Sequence, residues 1–465
     1  MKVPKIVTLS AVSAWLAVSL AGCGNAPAND EPAASNQTKP ADAAQKNESA
    51  NQNAAMQNEA GNASGVEEKI DLAGRTIRIA ANWDDSPKPD TATGLALIEK
   101  QKEVEQKYNV KIEYLNVPYD TFQEKFTSTV LAGEPFADII HLGVDWALSA
   151  AAKNQLIPLN EFMDISASKQ FVGFPALKGV EYGFNGPQSD TGGIFYNVDL
   201  VKKLGLTDPQ DLFKQDKWNW DEFEKLAKQA TQDTNNDGKP DSWGWSGWDA
   251  ETAQFLIVSN DSTMTDEVSG KEMLSDPKTV EALEFLNRMH NVDRVVKVKS
   301  GDPDNYQERT TFADGDVLMT YGWGWVSDEY RKSNVNYGYV PFPKGPQAVD
   351  YSVPMSGPAA WFIPVGIKDP RIVADIYAEL KDVPSAEEYP GQDWMEQKLL
   401  RQQDIDIFKE MVPKQSLIYT FNAYPDFPFY KLVTSVVKNQ VSPATAVEQV
   451  KQQAQSSMDK ILKIP

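Results

Sequence analysis

The chain has 465 residues, a single cysteine and a formal net charge of −21. That acidity argues against nucleic acid and against an anionic membrane surface as electrostatic partners, and it disfavours an anionic solute unless Lys or Arg is placed locally. One cysteine leaves no internal disulfide, so a hydrophobic core must hold the fold.

The first residues read as a targeting segment. Lys2 and Lys5 precede an apolar run from Ile6 to Leu20, which is shorter than the ~20 residues a membrane-spanning helix needs. The run closes on Leu20-Ala21-Gly22-Cys23, which resembles the bacterial lipobox. There the cysteine receives lipid, palmitate among its acyl chains, and becomes the mature N-terminus; the alternative is a chance cysteine in an ordinary cleaved signal. The expectation is a lipoprotein signal peptide at 1–22, lipidation at Cys23 and a lipid-anchored protein on the extracellular face of the cell membrane. Residues 23–65 carry almost no apolar side chain beyond Ala, so they read as a flexible low-complexity tether. About 400 residues follow, enough for two lobes with a core each.

From Thr76 the pattern alternates between strand and helix. Thr76 to Ala80 reads as a strand, and Leu97, Val104 and Tyr108 share a helical face that Asn109 ends. Val110, Ile112 and Tyr114 alternate as a second strand. A helix is expected over Asp120 to Leu131, and a buried strand over Ala137 to Leu142. Such alternation predicts an α/β fold with mainly parallel sheets flanked by helices. Ligands then bind beyond the carboxyl ends of the strands. The turns there hold Trp83 and Asp84 after the first strand and Asp145 after the third, so all three are candidate ligand contacts. Further on, Asn219 and Glu222 form a helix-opening capping box ahead of Phe223, Leu226, Ala227 and Ala230. Ser442-Pro443 opens a helix with Val447, Val450, Ala454, Met458 and Ile461 on its buried face.

Asp233-Thr234-Asn235-Asn236-Asp237-Gly238-Lys239-Pro240-Asp241 has the spacing of an EF-hand calcium loop. Asp233, Asn235, Asp237 and Asp241 would supply side-chain oxygens and Lys239 its carbonyl to a structural Ca2+. Gly244 stands where the bidentate glutamate belongs, and an Asx-rich surface turn without metal is the alternative.

Aromatic residues cluster with glycines at Trp243 to Trp248 and Tyr321 to Trp325, and again around Tyr424 to Tyr430. An indole can stack on the C–H face of a sugar ring while amides and carboxylates hold its hydroxyls. Trp248 and Phe429 are therefore candidate ligand contacts, with core filling as the alternative for each. The two histidines, His141 and His290, read as structural. No nucleophile motif, Walker loop, dinucleotide fingerprint or HExxH occurs, so no catalytic residue is expected.

Five segments together resemble a family. They are Gly133 to Leu142 with Asp145-Trp146, then Gly193 to Leu200, Asn219 to Phe223, Phe312 to Thr320 and Asn336 to Gly345. In this order they look like extracellular solute-binding proteins of the maltose-binding class. The resemblance implies a two-lobed, hinged periplasmic-binding-protein-like fold. It implies a monomer that captures an oligosaccharide and hands it to the permease subunits of an ABC importer, with no enzymatic activity. By resemblance, Trp323 falls at a stacking aromatic and Asp145 at a carboxylate that accepts sugar hydroxyls, although Trp323 could fill the core and Asp145 could cap a helix. The expected lobes are 66–188 with 345–400, and 192–340 with 405–465. The chain would cross between them near Pro187 to Gly192, Val340 to Val349 and Trp394 to Asp404. A secreted glycoside hydrolase or lyase, or a receptor for a non-sugar solute, is the alternative.

Overall fold

The computed structural model describes residues 70–161, 163, 172–177, 180–185, 192–303, 305–354, 359–384, 392–416 and 422–463. The expected signal peptide, Cys23 and the tether lie outside the described residues. From Glu67 onward the chain is one compact unit, built on two main sheets.

The first sheet runs in the order Val110–Asn116, Arg75–Ala81, Ile139–Gly143, Ala359–Phe362, Val180–Asn185, Val172–Leu177. Its first three strands are parallel and the rest pair antiparallel. Strand period places Ile77, Ile79 and Ala81 on one face, under the helices Ala92–Tyr108 and Pro370–Lys381. Ala80, Ile140 and Leu142 face the other way, onto Phe122, Phe126 and Ala147 of the helices Tyr119–Leu131 and Val144–Ala152. Asn109 ends the first helix in the left-handed region, with φ 49°, as its sequence position predicts.

The second sheet runs Tyr337–Val340, Gly193–Asn197, Val317–Gly322, Trp243–Ser246. Only Val317–Gly322 and Trp243–Ser246 are parallel. Both sheets are thus mixed where mainly parallel pairing was expected: Val172–Leu177 pairs antiparallel with its sequence neighbour Val180–Asn185, and the other antiparallel pairs arise from the lobe crossings. A strand that follows a crossing starts at the hinge and runs away from it, whereas strands made by local strand–helix–strand units run toward it. Accordingly Gly193, first in its strand, pairs with Gly322, last in its strand, and Ala359 pairs with Gly143. The carboxyl ends of the parallel strands in both sheets therefore lie beside the crossings.

Two crossings fall elsewhere than expected. After Val340 the chain stays with the second sheet: the Gly345 N–H donates to the Ser259 carbonyl at 2.7 Å, and Val353 pairs with Gln415. It reaches the first sheet only between Pro354 and Ala359. It returns between Asp382 and Gln392, because the helix Gln392–Lys398 already lies against Gly324, whose Cα hydrogens face the Trp394 ring. The described part of the first-lobe return is thus 359–384, which lies inside the expected 345–400.

The second lobe carries the expected caps. The Asn219 side chain accepts from the Glu222 N–H at 3.1 Å, and the Ser442 hydroxyl from Thr445 N–H at 3.3 Å. Val447, Val450, Ala454, Met458 and Ile461 are all buried along Pro443–Leu462. No helix among the described residues is long and apolar enough to cross a membrane.

Candidate functional site

Exposed aromatic side chains mark the hinge-side edges of both sheets. Among the described residues, the Phe, Tyr and Trp side chains that stand out as exposed are Trp83 (40 %), Tyr119 (59 %), Tyr306 (56 %) and Trp325 (46 %). Trp83 follows the strand Arg75–Ala81, Tyr119 follows Val110–Asn116, and Trp325 follows Val317–Gly322. Tyr306 joins them through Arg309, whose guanidinium lies 5.8 Å from its ring. Large exposed rings are expensive to leave in water, so these strand ends are the candidate ligand site.

In the first lobe Trp83 meets His141 edge-on at 4.6 Å, and Trp361 lies 6.3 Å away. Burial pushes the His141 imidazole down to about 3, so it is neutral at any physiological pH. The Trp83 indole donates to Asp85 at 3.3 Å. Asp84 accepts from Lys88 at 2.5 Å and from the Ser86 hydroxyl at 2.5 Å, and these bonds hold its carboxyl at about 2. Tyr119 packs on Trp146 at 4.9 Å, in the first turn of Val144–Ala152. Asp145 is the second residue of that helix, whose N-cap is Gly143; its side chain lies outside the description.

In the second lobe an ion pair organises the rings. Arg309 Nη2 donates to Glu251 at 3.0 Å. Its guanidinium lies 5.2 Å from the ring centroids of both Trp248 and Trp325. Glu251 also accepts from the Tyr321 hydroxyl at 2.5 Å and faces the Trp323 indole nitrogen at 3.5 Å. Burial and the nearby Glu251 charge push the Tyr321 phenol far up, so it stays a donor.

Trp323 is not the open stacking face the sequence predicts. It is 4 % exposed and packs on Phe255 at 5.2 Å. The reason lies in the neighbouring glycines. A Cβ on Gly322 would stand 2.8 Å from the Phe195 ring, and one on Gly324 2.6 Å from Trp394. These glycines admit close packing; they do not leave ring faces bare. Trp248 is likewise nearly buried, against Arg309 and Tyr430. Phe429 is fully buried at the start of the helix Phe429–Val437, so it is a core residue and not a ligand contact. Trp248 and Trp323 thus belong to the cluster as its walls, Trp83 is exposed, and Trp325, Tyr119, Arg309 and Glu251 complete a candidate site whose members the sequence pattern did not single out.

The loop at 233–241 has much of the wrapping a cation needs. Asp233 accepts the N–H groups of Asp237 and Gly238 at 3.2 and 2.8 Å, and Asn235 accepts that of Asp237 at 2.8 Å. Gly238 makes the sharp turn with φ +86°. Asp241 is tied to Thr234, and the Lys239 N–H to Asp237. No twelfth-position carboxylate fits, since a Cβ at Gly244 would sit 2.4 Å from the Ala227 carbonyl oxygen. Among the described residues no three His, Cys, Asp or Glu side chains converge as a metal site, so Asn235 and backbone oxygens would have to contribute.

Comparison with known proteins agrees with this architecture. The family model of bacterial extracellular solute-binding proteins matches residues 88–375. Mannotriose-bound CpMnBP1 superposes with a TM-score of 0.59 at 20 % identity, covering 82 % of this chain and 100 % of that one. The GacH receptor of Streptomyces glaucescens, solved unliganded and with acarbose, gives 0.58 at 21 %, covering 84 % and 99 %. The maltose/maltodextrin-binding domain MalE from Bdellovibrio bacteriovorus, bound to maltotriose, gives 0.56 at 16 %, covering 83 % and 100 %. At these identities the similarity concerns the fold.

Proposed function

Because this chain belongs to the bacterial extracellular solute-binding proteins, we propose that it captures an oligosaccharide between its lobes and delivers it to the permease subunits of an ABC importer. The observation that carries the sugar reading is the set of exposed rings, Trp83 and Tyr119 on one lobe and Trp325 on the other at the hinge-side strand ends, with Tyr306 joined to Trp325 through Arg309. Indole and phenol faces suit the C–H face of a pyranose, and the Arg309 N–H groups not committed to Glu251 suit its hydroxyls. The saccharide ligands of MalE and CpMnBP1 support the same reading. In this reading the protein acts by binding and transfer, and no enzymatic step is invoked.

A melting-temperature screen tests the reading. A ligand that binds only the native state raises the midpoint by mass action, by ~2.7 kcal/mol of stability at a hundredfold excess over Kd. Maltotriose, mannotriose and related saccharides are expected to include at least one that shifts the curve. A screen in which only non-sugar solutes shift it would replace the sugar by another solute.

Two features outside the cleft complete the account. Acylation at Cys23 would hold a monomeric receptor on the outer membrane face near its importer, and Cys23→Ser is expected to release it from membrane fractions. A Ca2+ ion at Asp233, Asn235, Asp237, Asp241 and the Lys239 carbonyl would stiffen the loop that leads into Trp243–Ser246. Chelator should then lower the melting temperature of wild type but not of Asp237→Ala. Identical wild-type curves in chelator and in excess calcium would remove the ion.

A further inference from the structure

The hydrogen-bond balance of the second-lobe cluster is uneven, and it points to the chemistry of the ligand. Glu251 is occupied from within the protein: Arg309, Tyr321 and the Trp323 indole all address its two oxygens. A carboxylate has about four acceptor sites, so little of it is left for sugar hydroxyls. Arg309 has the opposite balance. Nη2 is committed to Glu251, while Nε is buried and has no hydrogen-bond partner among the described residues. A buried donor without an acceptor is costly, so a ligand that brings an acceptor is rewarded there.

The rings around Arg309 fix how that acceptor must arrive. Trp248 and Trp325 lie 5.2 Å from the guanidinium and Tyr306 lies 5.8 Å from it. These contacts favour the cation electrostatically and confine it to the aromatic edge of the cleft. Trp325 and Tyr306 are also the exposed rings of this lobe, so a sugar stacked on either places its substituents next to Arg309. The planar fork of a guanidinium matches a carboxylate better than it matches single hydroxyls. The chain's net charge of −21 opposes an anionic solute only at long range, and such repulsion between exposed charges is screened within about 10 Å in ordinary salt.

Resting on the saccharide reading above, we propose that the cleft is selective for acidic oligosaccharides, with Arg309 as the specificity-determining residue that receives the carboxylate of a uronic acid unit. Trp248, Tyr306 and Trp325 hold the guanidinium in place, and Glu251 anchors it through Nη2.

The test is calorimetric titration of the full chain with trigalacturonate and trimannuronate, each beside its carboxyl-reduced neutral counterpart, and with maltotriose. At least one acidic trimer is expected to bind about tenfold or more tightly than its reduced counterpart, the scale of one charge-assisted hydrogen bond. That preference should shrink as salt is raised. In Arg309→Gln the affinity for the acidic trimer should fall to that for the neutral one, and Arg309→Lys should keep part of the difference. The wild-type comparison stands whether or not either variant folds. If neutral trimers or maltotriose bind as tightly as the acidic ones, or more so, the acidic selectivity is overturned and the sugar reading survives. If no saccharide binds, both fall.

Discussion

Asp404→Ala is expected to destabilise the protein by about 3 kcal/mol or more, read as a lower denaturant midpoint at unchanged slope. Asp404 is fully buried and accepts four bonds: from Arg401 Nε and Nη2 at 2.9 and 2.6 Å, from Gln210 Nε2 at 2.6 Å and from the Tyr339 N–H at 2.9 Å. Arg401 Nη2 also donates to the Tyr196 hydroxyl at 3.0 Å, so the third return of the chain is tied to two strands of the second sheet. Burial works against the Arg401 cation, yet the bonds to Asp404 and Tyr196 leave its proton held more tightly than usual. Removing the carboxylate strands a partly buried guanidinium and an unpaired strand N–H, and both must find water or rearrange. Asp404→Asn should recover part of the loss, because it keeps an acceptor. A wild-type midpoint for Asp404→Ala would show that the network contributes nothing to the fold.

The two neighbouring tryptophans should separate cleanly into binding and stability. Trp325→Ala removes a half-exposed ring, so the melting temperature should hold while oligosaccharide affinity falls about tenfold, the loss of ~1.5 kcal/mol of stacking. Trp323→Ala removes a ring that is packed on Phe255, and the cavity should cost ~3–5 kcal/mol. Thermal unfolding and titration of both variants check this. If Trp323→Ala keeps wild-type stability and loses binding, the stacking role returns to Trp323.

The alternation of strand and helix to Leu142, the caps at Asn109, Asn219 and Ser442 and the apolar face of Pro443–Leu462 were all legible because each rests on local periodicity or on a single capping residue. Strand direction was not legible, since it depends on where the chain crosses between lobes. Those crossings depend on non-local ties such as Gly345 to Ser259 and Trp394 to Gly324. The site was legible by location and not by residue. The turns after the strands do carry the exposed rings, but composition cannot tell which of Trp323 and Trp325 faces water, because a glycine between aromatics serves close packing as readily as exposure. Arg309 carried no signal, because the rings that surround it come from positions 248, 306 and 325.

The claim that a saccharide is held between the lobes by rings from both is tested most directly by calorimetric titration of wild type, Trp83→Ala and Trp325→Ala with the oligosaccharide that most raises the melting temperature. Trp83 belongs to one lobe and Trp325 to the other. The account predicts one ligand per chain for wild type and weaker binding, about tenfold, for each variant at unchanged melting temperature. Wild-type affinity in both variants would contradict it.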